Sequence, residues 1–233
     1  MNLLDLFKRL SLGELSNLSL GNDGAGTIDE GNYDKLIGYT NDALQKLFTR
    51  FILKENSLIL ELQAHITNYH LIPRFAQSSQ DNAKDIQYIM DLHCAPFKGD
   101  LIKILEVFDA YGCRKVLNDA ESYGSLFTPQ PHVLQVPNPV QGEPLSVSYQ
   151  ASHKVLSSAE LHDQIEIPSY MENLLRTYVA YKVYCDMNGQ ENIVKGQEYL
   201  AAYEAGCTDI ETKDLVNGTI STTNTKFAKR GWV

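Results

Sequence analysis

The chain has 233 residues, with 20 Lys or Arg against 29 Asp or Glu and a formal net charge of −9. Apolar residues make up 43% and charged residues 21%, which suits one sizeable soluble domain or a small domain carrying an inserted module. The acidic balance argues against a protein that grips nucleic-acid phosphates through clustered Lys and Arg, and no apolar run approaches the roughly 20 residues that cross a bilayer.

The opening MNLLDLFKRLSL is broken by Asp5, Lys8 and Arg9, so it reads as a short amphipathic helix rather than a secretion signal. Leu3, Leu6, Phe7 and Leu10 share its apolar face. A Gly-, Asn- and Ser-rich loop over 13–33 follows. A second helix is predicted from about Asn32 to Arg50, capped by Asp29 or Asn32. Leu36, Ile37, Thr40, Ala43, Leu44, Leu47, Phe48 and Phe51 recur there at steps of three and four.

The period then changes. SLILELQAHITNYHLIP predicts a strand stopped by Pro73, and a helix-like or irregular piece comes next, around Ile86–Leu92. GDLIKILEVFDAYGCRKVLND predicts a strand, a turn at Asp109–Gly112 and a second short strand. Simple alternation puts Leu101, Lys103, Leu105 and Val107 on one face and Ile102, Ile104, Glu106 and Phe108 on the other. Two more strands are predicted at His132–Val136 and Leu145–Gln150, with Pro137, Pro139 and Pro144 confined to ends or edges. IPSYMENLLRTYVAYKVYCDMNG predicts one amphipathic helix, with Pro168 in its first turn and Asn188-Gly189 as a left-handed cap. Met171, Leu174, Leu175, Tyr178, Tyr181 and Cys185 lie on its buried face. A last helix, about Gln190–Ala205, turns Ile193, Gly196, Leu200, Tyr203 and Cys207 to one side.

The predicted fold class is α+β: a helical bundle of two N-terminal and two C-terminal helices, with an inserted β-rich module and an extended C-terminal tail. The boundaries are 1–56 and 164–207 for the helices, 57–163 for the module and 208–233 for the tail.

Chemistry is hard to find in this sequence. Cys94, Cys113, Cys185 and Cys207 form no Cys-x-x-Cys pair and read as reduced, mostly buried thiols. His65, His70 and His93 lack the i, i+4 helical spacing of a zinc protease, so neither a metal nor any other cofactor is expected. Carboxylates near the first hairpin and before the third helix read as a solvated acidic surface. No nucleophile elbow, phosphate-binding loop or dinucleotide fingerprint is present. Tyrosines stand out instead. Tyr178, Tyr181 and Tyr184 span about two helical turns and cannot all face one core. With Tyr199 and Tyr203 they are the candidates for a subunit interface, where an apolar ring with a polar tip is favoured.

Three stretches, within residues 30–206, resemble the head-to-tail adaptors of short-tailed bacteriophages, the tail tubular protein A-like or gatekeeper-like family. They are YDKLIGYTNDALQKLFTRF, then LIKILEVFDAYGCRKVLND with VLQVPNPVQGEPLSVSYQA, then IEIPSYMENLLRTYVAYKVYCDMNGQENIVKGQEYLAAYEAG. The first looks like the family's early helix, the second its β module and the third its closing helix pair. The resemblance implies a structural virion protein with no enzyme activity, assembled in the host cytoplasm. It implies a dodecameric ring under the portal protein that extends the DNA channel and carries the tail nozzle or tail tube protein and the fibres. DNA would pass through an acidic lumen without specific binding, and no membrane is involved. It also implies a C-terminal segment that docks on the portal. In this chain Ile220, Phe227 and Trp232 would anchor that segment, while Lys226, Lys229 and Arg230 would meet an acidic partner. The alternatives are another tail-region component, such as a tail terminator, and a small metal-dependent hydrolase using the histidines.

Overall fold

The computed structural model describes residues 1–18, 28–78, 86–91, 96–213 and 215–216. The fold is α+β, with four α-helices and two antiparallel sheets among the described residues. The chain divides into two compact units: residues 1–46 with 154–233, and residues 47–153. The insertion thus begins and ends earlier than the 57–163 read from the sequence. At its far border the reason is local. Asn41 Nδ2 donates to the Leu156 carbonyl at 3.0 Å, and the Leu156 N–H donates to Asn41 Oδ1 at 2.9 Å, tying the segment after His153 to the helices.

In the helical unit, α1 (Leu3–Leu12) starts at a reciprocal capping box between Asn2 and Asp5. Leu3, Leu6, Phe7 and Leu10 are buried, as their spacing predicts. α2 (Tyr33–Arg50) comes after a 3-10 turn at Glu30–Asn32; Asp29 precedes that turn without a side-chain capping bond. All eight predicted apolar-face residues of α2 are buried, and the Thr40 hydroxyl is satisfied by the Leu36 carbonyl at 2.7 Å. α3 (Glu172–Asp186) and α4 (Gln190–Thr212) form the closing pair. Pro168 leads into a 3-10 turn at Ser169–Met171 ahead of α3, not into the helix itself.

Three details of this pair depart from expectation. α3 is not amphipathic: Leu174, Thr177, Tyr178, Ala180, Val183 and Tyr184 are buried around its circumference, because it is the inner helix of the unit. Gly189 has φ +115 but caps the start of α4 rather than closing α3 in the left-handed region. α4 runs to Thr212, past the predicted end, because Cys207 and Ile210 extend its buried stripe beyond Tyr203. The expected start of the tail at 208 is therefore corrected. The thiols also differ, with Cys113 and Cys185 exposed and Cys207 buried, while Cys94 lies outside the described residues.

Among its described residues the β-rich unit has seven strands: β1 (Glu55–Glu61), β2 (Asn68–His70), β3 (Ile89–Met90), β4 (Leu101–Phe108), β5 (Phe127–Gln130), β6 (Val133–Gln135) and β7 (Pro144–Ala151). One sheet has the order β3-β1-β7-β4, the other β2-β6-β5. Both contribute to one core that includes Leu60, Tyr69, Ile89, Val107, Leu134 and Val147. The single strand expected over 57–73 is two strands in different sheets. The break is held by Tyr69, whose hydroxyl donates to the Gln63 carbonyl and accepts from the Gln63 N–H. Ile89–Met90 is strand, where a helix-like or irregular piece was expected. Pro129 sits in β5, an edge strand, where a missing donor is tolerated.

β4 breaks the expected alternation. Its pairing with β7 slips by one residue between Leu101 and Lys103 and again between Ile104 and Glu106. Each slip is a bulge that turns the next residues of the strand to the other face. The core face is therefore Leu101, Ile104 and Val107, opposite Ala151, Tyr149 and Val147. On the other face, Gln150 Nε2 donates to the carbonyls of Phe48 and Phe51, so a strand residue satisfies the C-terminal end of α2. That contact places the last turn of α2 in the β-rich unit.

His153 closes this unit, its ring 5.7 Å from that of Phe48 and its Nε2 buried without a partner among the described residues. Burial, with the charge of Lys54, holds its pKa below the ordinary 6.5. The sign comes from linkage. Below about pH 6.5 an unfolded chain protonates this imidazole while the folded chain still resists. Stability is full above that pH and falls as the pH drops towards the folded-state pKa. Denaturant melts of His153→Phe should lose less stability than the parent between about pH 7.5 and pH 5.5. Equal losses in the two proteins would show that His153 is not held neutral.

Candidate functional site

The sequence pointed to two sets of residues. The tail set, Ile220, Lys226, Phe227, Lys229, Arg230 and Trp232, lies outside the described residues. The tyrosine set lies wholly on α3 and α4, and the structure divides it. Tyr178, Tyr184 and Tyr203 are buried; Tyr181 and Tyr199 are half-buried. Tyr178 packs edge-on against both Tyr181 and Tyr203, at 5.5 and 5.0 Å between ring centres. Tyr184 stacks on Tyr199 at 5.5 Å. Such pairs add about 1 kcal/mol each beyond the area they bury.

The hydroxyl ends have a shared target. Tyr184 Oη and Tyr199 Oη both donate to the Glu14 backbone carbonyl, at 3.3 and 3.1 Å. Arg176 Nη1 pairs with Glu14 Oε1 at 3.3 Å and Nη2 donates to Asn173 Oδ1. The segment leaving α1 is thereby latched to the closing helix pair through one residue. Burial pushes the Tyr178 and Tyr199 phenols above their usual pKa, which keeps Tyr199 a neutral donor to Glu14. Glu14 Oε2 and Arg176 Nε are buried without partners among the described residues. Opposite-charge pairs to α2 add to this unit: Lys182 with Asp42 at 3.0 Å, and Lys35 with Asp186.

Sequence reasoning missed Glu14 entirely. An acceptor that is a backbone carbonyl carries no residue signature, so nothing in the composition of the 13–33 loop could have marked it. It also misplaced Ile193, which was expected on the buried side of α4 but is 45% exposed beside the 51% exposed Val194. The tight contact that fixes the helix pair falls one turn later, at Gly196, where an added Cβ would lie 2.7 Å from Cys185 Sγ. The surface that α3 and α4 leave open therefore includes apolar area at Ile193 and Val194 and the outer edges of Tyr181 and Tyr199.

The histidines do not gather. His70 and His132 have ring centres 6.5 Å apart, and His93 lies outside the described residues. Among the described residues no three His, Cys, Asp or Glu side chains group to hold a metal, and no helix is long and apolar enough to cross a membrane.

No protein-family model matches this chain, and no curated protein is significantly similar to it.

Proposed function

We propose that this chain is a structural virion protein, a head-to-tail adaptor that forms a ring beneath the portal of a short-tailed bacteriophage. The observation that carries the reading is the interrupted bundle. Helices from both ends of the chain make one compact unit, and residues 47–153 are inserted between them as a second. That order supports the resemblance of the three sequence stretches to the adaptor family. The reading assigns the protein no enzyme activity. Its partners are further copies of itself, the portal protein, and the tail nozzle or tube that docks below.

Two physical features support the role. A net charge of −9 per subunit, repeated round a ring, repels the DNA backbone and lets DNA pass without being held. Ile193, Val194, Tyr181 and Tyr199 offer apolar and amphipathic surface for a neighbouring copy.

Mass photometry tests the proposal. The purified protein alone should weigh as a monomer of 26.2 kDa, and portal rings mixed with it should gain the mass of a dodecamer. Portal rings that gain no mass would refute the adaptor reading. Binding to tail tubes alone would move the protein to a tail-terminator role.

A further inference from the structure

Among the described residues, β4 is the last strand of its sheet and its one strand partner is β7. On its other side the chain returns after the Asp109–Gly112 turn, but runs beside β4 only briefly. Arg114 bridges Phe108, and the Lys115 N–H donates to the Val107 carbonyl at 2.8 Å. Beyond Lys115 the returning segment leaves β4 for β5. Leu117 bridges Leu126, the Leu126 N–H donates to the Val116 carbonyl, and the Asn118 side chain bonds Thr128 at 2.8 Å. The two segments splay, and a cleft of about 570 Å³ opens between Lys103–Leu105 on one wall and Val116–Asn118 on the other.

Two properties of this cleft point to its occupant. Among the described residues nothing pairs with the free side of Leu101–Leu105, and an edge strand presents the N–H and C=O of alternate residues as a template for another strand. The charged residues lining it are Lys103, Arg114 and Lys115, all cations in a chain of net charge −9. Arg114 leans on Glu106 at 3.0 Å and Lys115 on Asp109 at 3.4 Å. Lys103 is exposed and has no partner among the described residues.

We infer that this split edge binds an extended acidic peptide segment, which adds as a strand beside β4 with its carboxylates against Lys103, Arg114 and Lys115. Main-chain hydrogen bonds would supply the affinity, and the period-two alternation of a strand would supply the selectivity. One set of side chains meets the cations; the other meets the apolar wall at Ile104 and Leu117. The site belongs to the β-rich unit alone and does not depend on the adaptor reading.

Fluorescence anisotropy on the full chain tests this with a short labelled peptide of alternating Glu and Val. That peptide should bind and weaken with salt, and its Lys-Val counterpart should not bind. Lys103→Glu should lower affinity for the Glu peptide about tenfold or more. Methylating every second backbone amide of the peptide should abolish binding in one phase and spare it in the other, since only one set of amides faces β4. This last readout needs no protein variant. Three outcomes would each overturn the inference: no binding of the Glu peptide, indifference to Lys103→Glu, or equal binding of both methylated phases. Equal binding of the methylated peptides, with displacement by tripolyphosphate, would mark a bare anion site instead.

Discussion

Gly206→Leu is expected to unfold the helical unit at temperatures where the parent protein is intact. Gly206 lies on α4 where that helix crosses α3, and a Cβ added there would collide with Cδ2 of Leu174. Leu174 is itself buried, so its side chain has no solvent to swing into. The substitution improves helix propensity by roughly 1 kcal/mol, which works in the variant's favour. Overpacking a filled contact costs about 1–3 kcal/mol and occasionally more, and a whole isobutyl group belongs at the upper end. The net loss should lower the melting temperature by several degrees, on the order of 5–10 °C. Gly38 provides the contrast. It lies within α2, is exposed, and has nothing within 4 Å of an added Cβ. Gly38→Ala should therefore raise stability by about 0.5–1 kcal/mol. A Gly206→Leu protein that melts at or above the parent would contradict the close α3–α4 contact, and a Gly38→Ala protein that melts below it would contradict the open surface at Gly38.

On the adaptor proposal, deleting residues 217–233 should abolish attachment to portal rings while leaving the helical unit folded. The deleted stretch, NGTISTTNTKFAKRGWV, has no acidic residue and three cations, whereas the chain as a whole is at −9. Its composition is too polar to make a core of its own, and on that proposal Ile220, Phe227 and Trp232 would be its apolar anchors. Among the described residues, the contacts that end α4 lie before the cut. Tyr170 Oη donates to the Leu215 carbonyl at 3.4 Å, the Leu215 N–H donates to that of Ile210, and Ile210 is buried. A truncated protein with an unchanged melting curve that no longer adds mass to portal rings is the expected result. Normal docking by that same protein would remove the tail from the interface and leave the α3–α4 surface to account for it.

What the sequence determined by itself was whatever depends on neighbours along the chain. The buried faces of α1 and α2 were legible because helical periodicity repeats every three or four residues, and Leu36 through Phe51 keep it without a break. The turn at Asp109–Gly112 was legible because its chemistry is local: Asp109 Oδ1 accepts from the N–H groups of Tyr111 and Cys113, and Gly112 takes φ +73. The α+β class and the order of helices around an inserted β-rich unit came from such local patterns.

Only the tertiary structure decided the rest. The faces of β4 depend on where β7 slips against it, and a bulge is a property of two strands that no single strand's alternation reveals. The end of α2 depends on Gln150, about a hundred residues away in sequence, which reaches its last carbonyls. The tyrosines of α3 and α4 were visible as a group, but their division was not. Which of them are buried, and which meet the Glu14 carbonyl, depends on bringing residues 14, 184 and 199 together. Periodicity records that a side chain has a buried face. It does not record what lies against that face, because the partner is brought there by folding and not by position in the chain.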